Sequence, residues 1–331
     1  MATVPEVWIS ILNWNCGEDI LACVKSLQAL DYPNFKIVVS DNGSTDGSDE
    51  SLRRLYPELE IRHNGVNLGF SGGHNRVLRA AIDCTLSTRP HYVWLLNSDT
   101  LVAPDSLRLL VETAESRPRP GLYSPVLMNR EARDRVQFRR GWFDAEAPAF
   151  RATAKPDVLP PPGNIAPTLL WGTALLANIE ACAEVGLLEE DYFAYVEDYD
   201  WCLRMARHQR NVDIVETSIV WHALPASTLD KSALFHFLMA RNAVLFWRRN
   251  ASGARLRRVL RRHASEVIGT AGNHRDRRNR EKMAACLNGL RDGLLGRVGP
   301  PPRDFSASAT WHVLGSFAAH HLAGWIAPTS K

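Results

Sequence analysis

Short apolar runs alternate with helical patterns four times between Val7 and Glu115, and this alternation constrains the fold more than any other feature. The runs begin at Val7, Phe35, Leu59 and Tyr92, and apolar residues recur at helical spacing after each run. Strands that alternate with helices of this length predict an α/β fold with parallel strand pairing and helices on both faces of the sheet. In such sheets, ligands bind beyond the carboxyl ends of the strands.

Polar clusters follow each of the four runs, where the strands are expected to end. The cluster residues are Asn13 and Asn15, then Asp41 and Ser44, then Asn67, Gly69, Gly73 and Asn75, and finally Asn97, Ser98 and Asp99. Polar turns with free backbone donors suit the phosphates of a nucleotide, and a carboxylate suits its base or ribose. Helix capping would explain Asp41 and Asp99 without a ligand, and a tight structural turn would explain the glycines.

Asp99 also has the chemistry of a metal ligand. A hard divalent cation such as Mg²⁺ or Mn²⁺ takes one or two protein carboxylates together with the diphosphate oxygens of a substrate. A carboxylate at a strand end, beside a site suited to phosphate, therefore predicts such a cation. Its charge would stabilise a departing nucleotide diphosphate.

A second acidic cluster lies in the segment VEDYDWCLR, at the start of an expected helix. Adjacent helix residues point about 100° apart, so Glu197, Asp198 and Asp200 cannot all face one site, and one of them is expected to be a catalytic base. Asp200 is also spaced to pair with Arg204, and a solvated acidic face would explain the cluster without chemistry. His222, at the end of an expected strand, is either a metal ligand or a packed histidine.

The middle and the end of the chain differ in composition from the start. Proline-rich sequence from 130 to 167 predicts a long surface loop, and Thr168 to Leu176 predicts one strand. Between Arg241 and Arg303, Lys and Arg outnumber Asp and Glu by 12, whereas the whole chain has a formal net charge of only +3. This basic region, with its interspersed apolar residues, is suited to an anionic membrane surface. A solvated helix face, a homodimer contact or RNA binding are the alternatives.

The cysteines and the amino terminus bear on location. The six cysteines form no CxxC pair, and the first residues lack a basic segment followed by an apolar core. Both features predict reduced thiols and a cytoplasmic protein, peripheral on the inner membrane face if the basic region binds lipid.

Taken in order, the motifs ILNWN, SDNGSTDGS, NLGFSGGHN, LLNSDT, WGTALL, YVEDYDWCLR and VWH resemble the inverting family-2 glycosyltransferases of the GT-A fold, particularly their bacterial rhamnosyltransferase branch. The resemblance runs from Val7 to Arg249. It implies a mixed, mostly parallel sheet flanked by helices, with a basic helical C-terminal extension. Residues 1–130 would be the nucleotide-sugar-binding half, 131–228 the acceptor-binding and catalytic half, and 229–331 the basic helical region.

The resemblance also implies roles for individual residues. Asp41 would contact the nucleobase, Asp99 and His222 would hold Mg²⁺ or Mn²⁺, Asp198 would be the catalytic base with Glu197 beside it, and Trp171 and Gly172 would border the acceptor. Asn97 stands where many family members carry Asp, which removes one negative charge from the expected metal site. The implied reaction is a single displacement that moves a sugar, with dTDP-rhamnose the expected donor, to a cell-surface glycan or lipid-linked acceptor.

Two other classes of protein compete with this interpretation. A sugar-nucleotide pyrophosphorylase would be expected to carry a glycine-rich, basic phosphate loop after the first strand, but LNWNCGED contains no Lys or Arg. A non-catalytic lipid- or nucleic-acid-binding protein would account for the basic region and would leave the acidic strand ends unexplained. Nucleic acid is therefore not an expected partner.

Overall fold

The alternating strands and helices build one mixed sheet in the first part of the chain. The computed structural model describes residues 4–144, 149–159, 168–223 and 231–305, which divide into two compact units on either side of residue 224. The strands of the first unit are β1 (Val7–Asn13), β2 (Phe35–Asp41), β3 (Glu60–His63), β4 (Tyr92–Asn97), β5 (Thr100–Val102), β6 (Leu122–Asn129), β7 (Val136–Phe138), β8 (Arg140–Asp144), β9 (Ala149–Thr153), β10 (Thr168–Leu169), β11 (Ala174–Asn178) and β12 (Val212–His222). Its helices are α1 (Gly17–Leu27), α2 (Ser48–Leu55), α3 (Gly69–Asp83), α4 (Ser106–Glu115), α5 (Ile179–Val185) and α6 (Glu197–Arg207).

The main sheet has the strand order β3-β2-β1-β4-β11-β6-β12-β5, with β7 beside β6. Strands β1 to β4 are mutually parallel, whereas β11 runs antiparallel between β4 and β6. The prediction of a mixed, mostly parallel sheet flanked by helices is therefore confirmed. In the ladder Asn13 lies opposite Asp41, and Leu12 lies opposite Asn97, so the polar ends of β1, β2 and β4 meet at one edge.

Burial explains why these runs form central strands. Every residue of β1 except Leu12 is buried, because β2 and β4 flank the strand and helices cover it. In α1 the buried positions Ile20, Cys23, Val24 and Leu27 follow the three- and four-residue spacing that predicts an amphipathic helix. The apolar pattern of the sequence therefore marks the sides that form the core.

Two expectations about the middle segment are wrong. The stretch expected to be a loop contains β7, β8 and β9, of which β8 and β9 pair with β10 in a second, antiparallel sheet; residues 145–148 and 160–167 lie outside the described part of the chain. The single strand expected from Thr168 to Leu176 is two strands, because Leu170 to Thr173 leave the ladder between β10 and β11. Those four residues lie at the edge where the polar strand ends meet.

Residues 231–305 form the helices α7 (Ala233–Asn250), α8 (Gly253–Asp276) and α9 (Arg280–Leu294). Val244, Phe246 and Trp247, expected to accompany the arginines at a membrane surface, are instead buried core residues. They are buried because α7 packs extensively against α9. The arginines of α8 remain at the surface, so its exposed face is charged rather than amphipathic.

Candidate active site

The ends of β1 and β2 form a buried polar cluster around Asp41. The Nδ2 atom of Asn13 donates to Oδ1 of Asp41 at 2.9 Å and to Oγ of Ser48 at 3.0 Å. The other oxygen of Asp41 accepts from the backbone N–H groups of Gly43 and Ser44 at 3.1 and 3.2 Å. These bonds fix the Gly-rich turn against β1, which is the structural role that a carboxylate can play at a strand end.

Asn15 and Ser44 close the same turn from the other side. The backbone N–H of Asn15 donates to Oγ of Ser44 at 3.1 Å, and Oδ1 of Asn15 accepts from the backbone N–H of Thr45 at 2.8 Å. Asn15 adopts a left-handed conformation with φ of 52°, one that asparagine tolerates better than most residues. The first two polar clusters of the sequence are thus one hydrogen-bonded unit.

The third cluster joins this unit through Asn67. Its Oδ1 accepts from Nδ2 of Asn42 at 3.2 Å and from the backbone N–H of Gly69 at 2.8 Å. Gly69 has φ of +72°, and a Cβ atom there would collide with the carbonyl and the ring of Phe193. Glycine is therefore required where the start of α3 meets the segment before α6.

Gly73 and Asn75 occupy different surroundings from the rest of the third cluster. Gly73 packs under Leu12 and Asn42, and its carbonyl accepts from Oγ of Ser40 at 2.8 Å. Asn75 points away from the strand ends, because its Nδ2 donates to the carbonyl of Leu188 and to the carboxylate of Glu190, each at 2.8 Å. These contacts anchor α3 to the segment that leads into α6.

The end of β4 places Asp99 beside His222. The Oδ1 atom of Asp99 lies 3.4 Å from Nε2 of His222, and Nδ2 of Asn97 lies 3.5 Å from the same nitrogen. The other ring nitrogen, Nδ1, is 3.2 Å from Oε1 of Gln137. His222 is buried, whereas the side chain of Asp99 is 32% exposed. Ser98 points elsewhere, since its hydroxyl donates to Sγ of Cys16 at 2.7 Å.

This pair has the donor set of a hard divalent cation. A carboxylate oxygen and an imidazole nitrogen at this spacing can bind one ion at about 2.0–2.2 Å each, and the partly exposed carboxylate leaves room for ligands from a substrate. Gln137 orients the histidine, which is the usual role of a hydrogen-bond partner behind a metal ligand. The residues present therefore fit Mg²⁺ or Mn²⁺.

Asp198 is the second residue of α6 and is held by two backbone donors. Its Oδ2 accepts from the N–H of Gly172 at 2.9 Å, and its Oδ1 accepts from the N–H of Tyr199 at 2.8 Å. Burial raises the pKa of Asp198 to about 6, although these two hydrogen bonds oppose the shift. A carboxylate with this pKa is ionised at neutral pH and still basic enough to accept a proton.

Glu197 and Asp200 differ from Asp198 in their surroundings. Burial, and then the charge of Asp198, raise the pKa of Glu197 well above its usual range. Its Oε2 atom is buried without a hydrogen-bond partner among the described residues. Asp200 pairs with Arg204 at 2.7 Å, as its spacing predicts, and Arg204 also donates to the carbonyl of Leu187 at 2.7 Å. Asp200 therefore has a structural role, since it holds the Arg204 side chain that bonds to Leu187.

Trp171 and Gly172 lie beside Asp198, on the residues that leave the ladder. The indole N–H of Trp171 donates to the hydroxyl of Tyr199 at 3.1 Å, and its ring stacks on Phe138 with centroids 4.4 Å apart. A Cβ atom on Gly172 would lie 2.8 Å from Cζ of Phe70. The small residue allows its backbone N–H to reach Asp198.

The Asp99–His222 pair and Asp198 flank the same strand end. The backbone N–H of Asn97 donates to the carbonyl of Thr173 at 2.9 Å, and Gly172, next in the chain, donates to Asp198. Burial first, then the charges of Glu197 and Asp99, raise the pKa of Tyr195 to about 12. The phenol of Tyr195 therefore lies within electrostatic range of both Glu197 and Asp99. The structure thus brings the later acidic cluster to the edge where the first four clusters lie.

Sequence reasoning missed Tyr195, Gln137 and Thr173. Phe193, Tyr195 and Val196 all have positive φ, between 66° and 78°, which is rare for residues with side chains and concentrates at functional sites. The sequence AYVED contains no glycine that would signal this conformation. Gln137 lies in the segment expected to be a loop, and Thr173 acts through its main chain, which leaves no trace in residue type.

The mixed, mostly parallel sheet, the polar edge and the two flanking acidic sites are the features of a nucleotide-sugar transferase of the GT-A class. Residues 8–156 match the family model described as Glycosyl transferase family 2, and residues 92–264 match the model described as Glycosyl transferase family group 2. The second match spans more than half of the chain, so this protein belongs to the family-2 glycosyltransferases.

Similar proteins include named transferases. The N-acetylglucosaminyl-diphospho-decaprenol L-rhamnosyltransferase of Mycobacterium tuberculosis is 28% identical over 204 residues, which cover 57% of this chain and 66% of that protein, slightly less than two thirds of its length. The low-salt glycan biosynthesis hexosyltransferase Agl10 of Haloferax volcanii is 26% identical over 247 residues, 73% of this chain and 75% of that one.

Solved structures share the fold. A mannosyltransferase from Pyrobaculum calidifontis, in complex with GDP-Man and Mn²⁺, superposes with a TM-score of 0.54 at 16% identity, covering 98% of this chain and 84% of its own. GalNAc-T7 with UDP, GalNAc and Mn²⁺ superposes with a TM-score of 0.53 at 14% identity, covering 76% of this chain and 52% of that one. The likeness supports the GT-A fold.

Proposed function

We propose that this protein is an inverting, metal-dependent glycosyltransferase that uses Asp198 as its catalytic base. The observation that carries the proposal is the arrangement at the end of β4: a carboxylate–imidazole pair suited to a divalent cation on one side, and an ionised carboxylate with raised pKa on the other. A single displacement is assisted by positive charge near the leaving group and by a base on the opposite side of the sugar.

Each group has a defined task in the reaction. Asp198 accepts the proton of the acceptor hydroxyl as that oxygen bonds to the anomeric carbon. The bond from the anomeric carbon to the diphosphate oxygen breaks, its electron pair leaves with the nucleoside diphosphate, and the anomeric configuration inverts. Asp99 and His222 would hold Mg²⁺ or Mn²⁺, which when bound supplies positive charge to the diphosphate. Burial and the charge of Asp198 raise the pKa of Glu197 well above its usual range, which favours placing the negative charge of the acidic pair on Asp198.

The donor half of the site is assigned to the residues around the first three strand ends. Asp41 has oxygens oriented by Asn13 and by the Gly43–Ser44 turn, and we assign it to the nucleobase. The backbone of the turn around Ser44 and of the segment from Asn67 to Gly69 would line the rest of the nucleotide. We assign the acceptor to the surface bordered by Trp171 and Gly172, beside the base.

We propose an L-rhamnose donor, dTDP-rhamnose, and a lipid-linked or glycan acceptor. Support comes from the names of similar proteins: a rhamnosyltransferase that acts on a diphospho-decaprenol substrate and a glycan-biosynthesis hexosyltransferase. No helix in the described part of the chain has the length and apolar character to span a bilayer. We propose that the arginine-rich face of α8 attracts anionic lipid and brings the enzyme to such an acceptor.

A donor panel tests the proposed activity. Hydrolysis and transfer are measured with dTDP-, UDP- and GDP-sugars in the presence of Mn²⁺, and dTDP-rhamnose is expected to be consumed fastest. Consumption of a different sugar nucleotide would correct the donor and retain the class, whereas no consumption of any donor with any acceptor would reject the class.

Flotation with vesicles of anionic lipid tests the membrane contact: binding at low salt that is lost at high salt is expected, and binding to neutral vesicles alone would contradict it.

A further inference from the structure

A cluster of three metal-ligating side chains lies in the helical unit, within residues 231–305 and far in sequence from the strand ends. His236 lies in the first turn of α7, His274 in the last turn of α8, and Cys286 in the second turn of α9. All three side chains are buried, with exposures of 5%, 1% and 2%. Three helices thus each contribute one nitrogen or sulfur ligand to a single interior point.

The geometry of the cluster is close to that of a bound ion. The Nε2 atoms of His236 and His274 lie 3.2 Å apart, and the two nitrogens and Sγ of Cys286 all lie within 4.8 Å of one another. Two imidazoles on one tetrahedral Zn²⁺, at about 2.0–2.1 Å each, place their nitrogens about 3.3 Å apart. The thiol would have to close to about 3.5 Å from each nitrogen to complete three bonds of the usual length.

The surroundings keep the three ligands in place. Cys286 belongs to the apolar cluster formed by Ala240, Val244, Ala264, Val267, Ala271, Cys286 and Leu290, which packs the three helices together. The two rings meet edge to face at 74°, with centroids 4.5 Å apart.

We propose that His236, His274 and Cys286 form a binding site for one borderline-soft divalent cation, with Zn²⁺ as the physiological ligand. Nitrogen and sulfur donors favour Zn²⁺ over the Mg²⁺ or Mn²⁺ that suits the oxygen-containing pair at the strand ends. Binding releases the thiol proton of Cys286 to solvent, and the resulting thiolate offsets one of the two charges of the ion. The ion would fasten three helices through one point and stabilise this small unit.

Two features oppose metal binding. Lys231 and Lys282 lie near His236, and their positive charges would repel a cation bound there. The distance of 3.2 Å between the histidines also fits an N–H···N hydrogen bond, which would satisfy the pair without an ion. A hydrogen-bonded pair requires no thiolate, so the state of Cys286 distinguishes the two.

Cobalt titration of the full chain tests the site without reference to activity. The protein is stripped with chelator under reducing conditions and titrated with Co²⁺, then with Zn²⁺. We expect one equivalent of Co²⁺ to produce a thiolate-to-cobalt charge-transfer band that Zn²⁺ abolishes, and we expect Zn²⁺ to raise Tm. Cys286→Ser should remove the band, and His236→Gln should weaken Co²⁺ binding at least about tenfold, because one of three ligand bonds is lost.

Matched variants separate this site from the other thiols and from the strand-end pair. Cys84→Ser changes a thiol that donates to the carbonyl of Ala80 at 3.2 Å, and it should retain the band. Asp99→Ala in combination with His222→Asn should also retain it. Absence of the band in the wild-type chain would overturn the proposal in favour of a hydrogen-bonded histidine pair. A band that survives Cys286→Ser, or one that is lost with Asp99 and His222, would overturn it as well.

Discussion

The pKa of Asp198 sets the pH dependence of the proposed reaction. Burial holds this pKa at about 6, compared with 3.8 for an ordinary aspartate. A base must be ionised to accept a proton, and with this pKa about nine tenths of Asp198 is ionised at pH 7 and about one tenth at pH 5. We therefore expect kcat/KM to fall about tenfold between pH 7 and pH 5, with a midpoint near 6. An ordinary aspartate would lose less than about 10% over the same range.

The assay has to isolate this ionisation from loss of the cation. Initial rates are measured at low donor concentration, constant ionic strength and saturating Mn²⁺, so that protonation of a metal ligand contributes little. Glu197→Gln should retain the acid limb of the profile, because burial raises the pKa of Glu197 well above its usual range and the proposed base is Asp198. Asp198→Asn should lose activity by about 10²- to 10⁴-fold, the usual contribution of a general base.

Two results would refute the reasoning. A profile that stays flat to pH 5 would show that no group with a raised pKa limits the reaction. Loss of turnover in Glu197→Gln, with activity retained in Asp198→Asn, would transfer the role of base to the neighbouring residue. Asp213→Asn, at a carboxylate 43% exposed and paired with Arg117, is the matched control and should behave as wild type.

Three further predictions follow from the same contacts. Asp198→Asn should raise the free energy of unfolding at pH 8 by about 1–3 kcal/mol, because the raised pKa of Asp198 means that its ionisation costs the native state stability above pH 6. In chemical denaturation this gain should vanish below pH 3.8, where the carboxyl is protonated in both the native and the unfolded state. Asp99→Ala should weaken donor binding at least about tenfold with Mn²⁺ and leave metal-free binding unchanged by calorimetry, and equal loss in both conditions would contradict the metal role. Gly69→Ala should lower the free energy of unfolding in urea by more than about 2 kcal/mol, because strain at positive φ adds to the collision with Phe193. Gly65→Ala, at φ of +74° with open space around it, is the control and should show the strain alone. Equal losses of stability in the two variants would contradict the collision.

Much of the sheet could be predicted from the sequence because its strands are buried on both faces. The apolar runs beginning at Val7, Phe35 and Tyr92 start the observed strands, and each strand extends one or two residues into the polar cluster that follows. Those extra residues, such as Asn13 and Asp41, pair in the ladder and bond to each other. Burial pattern identifies the strand, but side-chain hydrogen bonds decide where it ends.

The segment from Leu170 to Thr173 shows why the site was harder to predict. Its apolar residues read as one continuous strand with their neighbours, but the chain leaves the ladder so that the backbone N–H of Gly172 can reach Asp198. A main-chain contact across 26 positions has no signature in residue type. Asn75 illustrates the converse, since a polar residue in a polar cluster serves the packing of α3 against the segment before α6.

The close approach of Gly69 to Phe193 couples two stretches of chain that are far apart in sequence. The backbone N–H of Ser71 also donates to the carbonyl of Phe193 at 3.2 Å, so the start of α3 and the strained residues before α6 share one surface. In a chimera, the loop after β3 can be exchanged for that of a related enzyme only together with the residues that precede α6. Engineering of donor preference in this chain should therefore move the two stretches as a single cassette.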